Sequence, residues 1–193
     1  MVRLTGSFLT LVVTLGLVLA QPPKKDAWFD KAVKKIEMTF EPAEALPGQT
    51  VTMKVLVHLA DNYYTYPMAQ PDKAAEGMVN KIEFPKPGGV IFVGDVTDPA
   101  DYQVKAEPIL GIRELRYLTG KTVYERKLVV NPSQKPGLLT VKLPALKLNI
   151  CDPNVCFPTK SVPVEGTLKI KPGPAQPVEK AYEAEVKKAI EKL

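Results

Sequence analysis

The chain has 193 residues, a formal charge of +5 and 24% charged residues, which sets the scale at one domain with appendages. The excess lysines cluster at Lys24, Lys25, Lys31, Lys34 and Lys35, and again at Lys180, Lys187, Lys188 and Lys192, in alternation with acids. That pattern is a solvated face, and nucleic acid is not an expected partner. One histidine, His58, and two cysteines exclude a cupredoxin copper site, which needs two histidines and a cysteine.

In chain order, Arg3 and an apolar run from Leu4 to Ala20 come first, closed by Val18-Leu19-Ala20. This predicts a secretory signal over residues 1–20, cleaved near Ala20. A retained anchor is the competing reading, although the run is at the short end for a span. No cysteine follows it, so lipid attachment is not indicated. Export to the periplasm or another oxidising compartment is expected, with a mature chain free of further spans.

Residues 21–32 read as a linker. Residues 33–172 form a series of short runs with alternating polarity: Val33 to Phe40, Thr50 to His58, Val79 to Phe84, Val90 to Gly94, Thr122 to Val130, Gly137 to Leu148 and Ser161 to Lys171. In Thr50 to His58, Val51, Met53, Val55 and Val57 face one way. Pro47-Gly48, Pro87-Gly88-Gly89, Asn131-Pro132 and Pro136-Gly137 punctuate the runs. Nineteen prolines and twelve glycines, mostly between runs, argue against long internal helices. The fold class predicted is all-β, an immunoglobulin-like β-sandwich, with a closed barrel as competitor. In residues 173–193, Val178, Tyr182, Val186, Ile190 and Leu193 fall at helical spacing, so a C-terminal α-helix docked on the sandwich is expected.

Most catalytic signatures are absent from the sequence: there is no Gly-x-Ser-x-Gly elbow, phosphate loop, EF-hand loop or zinc spacing. Met38, Met53, Met68 and Met78 are unclustered and read as core. What remains is Asn149 to Pro158, NICDPNVCFP, with both cysteines. If Leu146–Ile150 and Phe157–Val162 are the arms of a hairpin, Cys151 and Cys156 flank the loop Asp152-Pro153-Asn154-Val155. Asp, Pro and Asn suit a type I turn, and the two Cβ atoms then face each other at disulfide distance.

Closing so short a loop stabilises by only about 2 kcal/mol, against about 4.7 kcal/mol for a loop of about 100 residues. As a staple the bridge is poorly placed. A hairpin tip is instead accessible to an attacking thiolate. On these grounds a redox dithiol and a structural disulfide both stay open.

The segment Cys-x4-Cys-Phe-Pro after a strand, followed by Leu-Lys-Ile, resembles the N-terminal periplasmic domain of the thiol:disulfide interchange protein DsbD. ADNYYTYPMAQ (Ala60 to Gln70) looks like that family's Tyr-rich segment, and GKTVYERKLVV (Gly120 to Val130) like the strand after its cap loop. The resemblance spans roughly residues 33–171 and implies an immunoglobulin-like fold, in agreement with the strand pattern. It implies that Cys151 and Cys156 are the exchanging pair, Cys156 attacking or attacked and Cys151 resolving. Phe157 and Pro158 then shape the hairpin, and Tyr63, Tyr64 and Tyr66 pack beneath it. Tyr117 and Leu118, where a cap loop falls, become candidate shields.

The resemblance further implies a protein-disulfide reductase type of activity with no metal or organic cofactor. Partners would be thioredoxin-like or other exported redox proteins met by transient mixed disulfide, with a separate membrane electron donor. The sequence departs from the best-known members in having one residue fewer between the cysteines and Thr159 in place of a second proline. The alternative is a non-catalytic β-sandwich binding or assembly module with a structural disulfide.

Overall fold

The computed structural model of the chain describes residues 27–193; the expected signal segment and the start of the linker lie outside the described residues. Helix α1 (Ala27–Ala32) leads into β1 (Val33–Glu41), β2 (Glu44–Ala45) and β3 (Thr50–Leu59). Next come β4 (Tyr64–Thr65), a 3-10 turn at Lys73–Ala75, β5 (Lys81–Glu83) and β6 (Val90–Thr97). A hairpin of β7 (Gln103–Glu107) and β8 (Ile112–Thr119) is joined through a second 3-10 turn at Pro108–Leu110. The long strands β9 (Lys121–Val130), β10 (Gly137–Leu148) and β11 (Lys160–Ile170) precede helix α2 (Glu183–Ile190).

The fold is an all-β sandwich. One sheet has the order β1-β3-β9-β6 and the other β2-β11-β10-β5. Alternation dictates how they pack, because successive side chains on a strand point to opposite faces. In β3 every second residue (Val51, Met53, Val55, Val57, Leu59) is fully buried. Across the sandwich Leu143, Leu146 and Leu148 of β10 and Leu168 and Ile170 of β11 meet them in one core. Gly166 is required by a close approach: a Cβ there would lie 2.8 Å from the Met38 carbonyl oxygen of β1.

A third, small sheet has the order β4-β8-β7. Alternation of polarity marks no strand over β7 or β8, and the resemblance implies a cap loop just before Gly120. Those residues are instead paired strand, Tyr64 with Thr119 and Thr65 with Leu118.

Helix α2 begins later than residue 173. Pro172, Pro174 and Pro177 withhold N–H groups and disfavour helix before them, so residues 171–180 run as an extended strap, held by the Gln176 N–H on the Pro47 carbonyl at 2.7 Å. Val178, Tyr182, Val186 and Ala189 then cover Ile91, Val93 and Val129 on the outer face of the first sheet.

A candidate redox site at the cysteine hairpin

Strand β10 ends at Leu148 and β11 begins at Lys160, and between them the chain makes a tight hairpin. Two backbone bonds frame the cysteines: Phe157 N–H to the Ile150 carbonyl, and Asp152 N–H to the Val155 carbonyl, both at 2.9 Å. Cys151 and Cys156 face each other between these rungs as an antiparallel pair. Such non-hydrogen-bonded pairs bring side chains closest across a ladder, and a disulfide joins the two sulfurs. The turn is fixed by Asp152, whose Oδ1 accepts from the N–H groups of Asn154 at 2.7 Å and Val155 at 2.9 Å. That is the local bonding for which Asp is favoured in turns. Thr159 closes the base of the hairpin by donating to Asn149 Oδ1 at 2.5 Å.

The two sulfurs have different surroundings. Cys151 is 1% exposed, whereas Cys156 is exposed. Backbone pairing buries Cys151: it exchanges N–H···O bonds with Tyr64 at 2.9 and 3.0 Å. The small sheet therefore continues from β7 through β8 and β4 to the hairpin.

Beneath the disulfide stands Tyr66, 3% exposed. Its hydroxyl lies 3.3 Å from Cys151 Sγ and 3.8 Å from Cys156 Sγ. A disulfide sulfur has no hydrogen, so the phenol is the donor. Burial pushes the Tyr66 phenol well above its ordinary range, and the neighbouring Tyr64 adds to the shift. It stays a protonated donor at neutral pH.

Tyr64 stands edge-on to Tyr66, with ring centroids 5.9 Å apart. Its other side meets Tyr117 at 5.4 Å and the Lys105 ammonium at 4.7 Å above the ring. Phe157 stacks flat on Trp28 of α1, 4.7 Å between centroids, with Tyr63 at 6.1 Å. Pro158 is exposed at the start of the returning arm.

The structure thus gathers Cys151, Cys156, Phe157, Pro158, Tyr63, Tyr64 and Tyr66 in one place. Tyr117 packs at the edge of this cluster against Tyr64 and donates its hydroxyl to Gln103 Oε1 at 2.8 Å. Leu118 does not shield the pair: it is 1% exposed within the main core, because its position on β8 turns it inward. What flanks the disulfide is a shallow hollow of about 170 Å³ lined by Gly77, Met78, Asn149, Tyr66 and Phe157 with both cysteines. Met78 has the sequence pattern of a core residue, and Trp28, within the expected linker, lies on α1. Nothing in their spacing announces the site, since both arrive from distant segments.

No protein-family model matches the chain, and no curated protein matches it. Among solved structures it is similar to the crystal structure of the N-terminal periplasmic domain of ScsB from Proteus mirabilis, at 18% identity and a TM-score of 0.42. The match covers 78% of this chain and 51% of that one, so the chain spans about half the length of its neighbour. Among the described residues no helix is long and apolar enough to cross a membrane.

Proposed function

We propose that the protein is an exported thiol–disulfide interchange protein that passes reducing equivalents between other redox proteins through Cys151 and Cys156. One observation carries the reading: the disulfide at the hairpin tip joins an exposed residue, Cys156, to a buried one, Cys151, whose sulfur is the nearer to the hydroxyl of a buried phenol. A structural bridge has no use for that asymmetry. Exchange needs an attackable sulfur and a stabilised leaving sulfur.

In this reading a thiolate of a donor dithiol attacks Cys156 Sγ. A bond forms between donor sulfur and Cys156 while the Cys151–Cys156 bond breaks, its electron pair going to Cys151 Sγ. The Tyr66 hydroxyl, already 3.3 Å away, donates to the sulfur as charge develops, and charge-assisted hydrogen bonds are the stronger kind. The donor's second thiolate then attacks the donor sulfur of the mixed disulfide, expelling Cys156 as thiolate. The donor leaves oxidised and this protein reduced by two electrons. The reverse sequence, with Cys156 attacking an acceptor disulfide and Cys151 resolving, delivers the same two electrons onward.

The resemblance of the cysteine segment to the DsbD N-terminal domain supports thioredoxin-like exported partners and a separate membrane donor. The dithiol is itself the redox group, so the reaction uses no metal or organic cofactor. Titrating the disulfide against glutathione tests the reading. The expected potential is less negative than about −300 mV, the region of resistant structural bridges; a value well below that assigns the bridge to structure.

A further inference from the structure

Asn80 lies where four segments meet beneath the cysteine hairpin, and it is 1% exposed. Its Nδ2 donates to the Tyr66 carbonyl at 2.6 Å and lies 2.8 Å from both the Thr65 and Tyr124 hydroxyls. Its Oδ1 accepts from the Asn149 N–H at 2.9 Å. The Thr65 hydroxyl donates to the Asn149 carbonyl at 2.8 Å, and the Tyr124 hydroxyl to the Tyr66 carbonyl at 2.8 Å. Tyr124 is fully buried on β9, so the junction is anchored in the main core.

The two main chains held by this one amide are those that matter to the sulfurs. Asn149 is two residues before Cys151 on the same arm of the hairpin. Tyr66 carries the hydroxyl beside Cys151 Sγ. An amide offers donors at one end and an acceptor at the other, so it can hold a carbonyl and an N–H in fixed relation. Aspartate has no donor for the Tyr66 carbonyl, and an apolar residue holds neither group. Satisfied buried networks of this kind are rigid, because breaking one bond strands a desolvated partner.

We propose that Asn80 is a positioning residue for the disulfide: its amide fixes the Tyr66 main chain against the Asn149 main chain and so sets the reach of the Tyr66 hydroxyl to Cys151 Sγ. The proposal rests on the exchange reading above, in which Cys151 is the sulfur that leaves with the electron pair.

A double-mutant cycle on the intact chain tests it. The equilibrium constant for reduction by glutathione is measured for the unsubstituted protein, Asn80→Ser, Tyr66→Phe and the double variant, with melting temperatures alongside. Asn80→Ser is expected to shift the equilibrium toward the disulfide by about three- to tenfold, the range of one hydrogen bond. With Tyr66→Phe already present, the same substitution should shift it by less than about twofold. A purely structural asparagine lowers the melting temperature and shows no such dependence on Tyr66. Tyr124→Phe keeps the core ring and removes the second donor to the Tyr66 carbonyl, so it repeats the cycle should Asn80→Ser fail to fold. Equal shifts with and without Tyr66, or an unchanged equilibrium, overturn the positioning role and leave the exchange reading standing. No exchange with glutathione by the unsubstituted protein overturns both.

Discussion

Cys151 and Cys156 are chemically identical, and only their surroundings separate them. The Cys156 side faces solvent while Cys151 is sealed by its pairing with Tyr64. A Cys151→Ser variant should therefore accumulate mixed disulfides through Cys156 in its native compartment, visible on non-reducing gels and lost with reductant. The reciprocal Cys156→Ser variant should trap far less, since a partner cannot reach Cys151; equal trapping by both would reverse the assigned roles. Tyr66 is the second residue with a separable effect. Tyr66→Phe keeps the ring and removes the donor, and should slow opening of the disulfide by a small dithiol about three- to tenfold. Burial holds the phenol above its ordinary range, so it remains protonated across the window in which thiols ionise. The penalty should then be constant from about pH 6 to about pH 9. A penalty that vanished toward the alkaline end would mean that the phenol titrates there.

At the scale of elements, what was legible in the sequence followed from burial on one face only. In β3 the buried and half-buried residues alternate without a break, and β1, β6, β9, β10 and β11 fall where alternation and turn residues placed them. The cysteine hairpin was legible because Asp152, Pro153 and Asn154 are turn chemistry between two strands. The small sheet was not. The buried residues of β8 are Ile112, Leu115 and Leu118, three apart rather than two, and its pairing with β7 slips between Lys105 and Glu107. A bulged, twisted strand loses the period that sequence reading depends on. Asn80 was hidden for a related reason: a polar residue beside Lys81 in a run of alternating polarity carries no sign that it is buried or of the partners that satisfy it. The C-terminal strap gives a prediction of its own. Gly48 has φ +80°, and a Cβ there would fall 2.0 Å from the Gln176 carbonyl oxygen. Gly48→Ala should displace the strap, so that limited proteolysis removes the C-terminal segment faster and the melting temperature falls. Glutathione exchange should be unchanged, because the strap and α2 pack on the outer face of the first sheet. Loss of exchange in that variant would mean that the strap also supports the hairpin.

Over the whole molecule the cysteine hairpin and the folding core are largely separate. Leu143, Leu146, Leu148, Leu168, Met53, Val55 and Tyr124 fill the space between the two large sheets. Cys151 belongs instead to a smaller cluster with Tyr66, Ala75, Ile112 and Leu115. The bridge closes a loop with a sequence separation of 5, and constraining so short a loop removes little entropy from the unfolded chain. Backbone rungs on both sides of the pair and the Asp152 turn already hold the cysteines close. Replacing both with serine should therefore cost at most about 2 kcal/mol. By comparison, Leu143→Ala, which opens a cavity at a fully buried position, should cost about 2–5 kcal/mol. Urea unfolding of the two variants followed by circular dichroism gives both numbers on one scale. The expected order is a serine variant that keeps its far-UV spectrum and most of its stability but exchanges nothing, and a leucine variant that exchanges normally until it unfolds. If the serine variant were the less stable of the two, the bridge would be holding the fold together, and the short-loop argument for a redox role would fail.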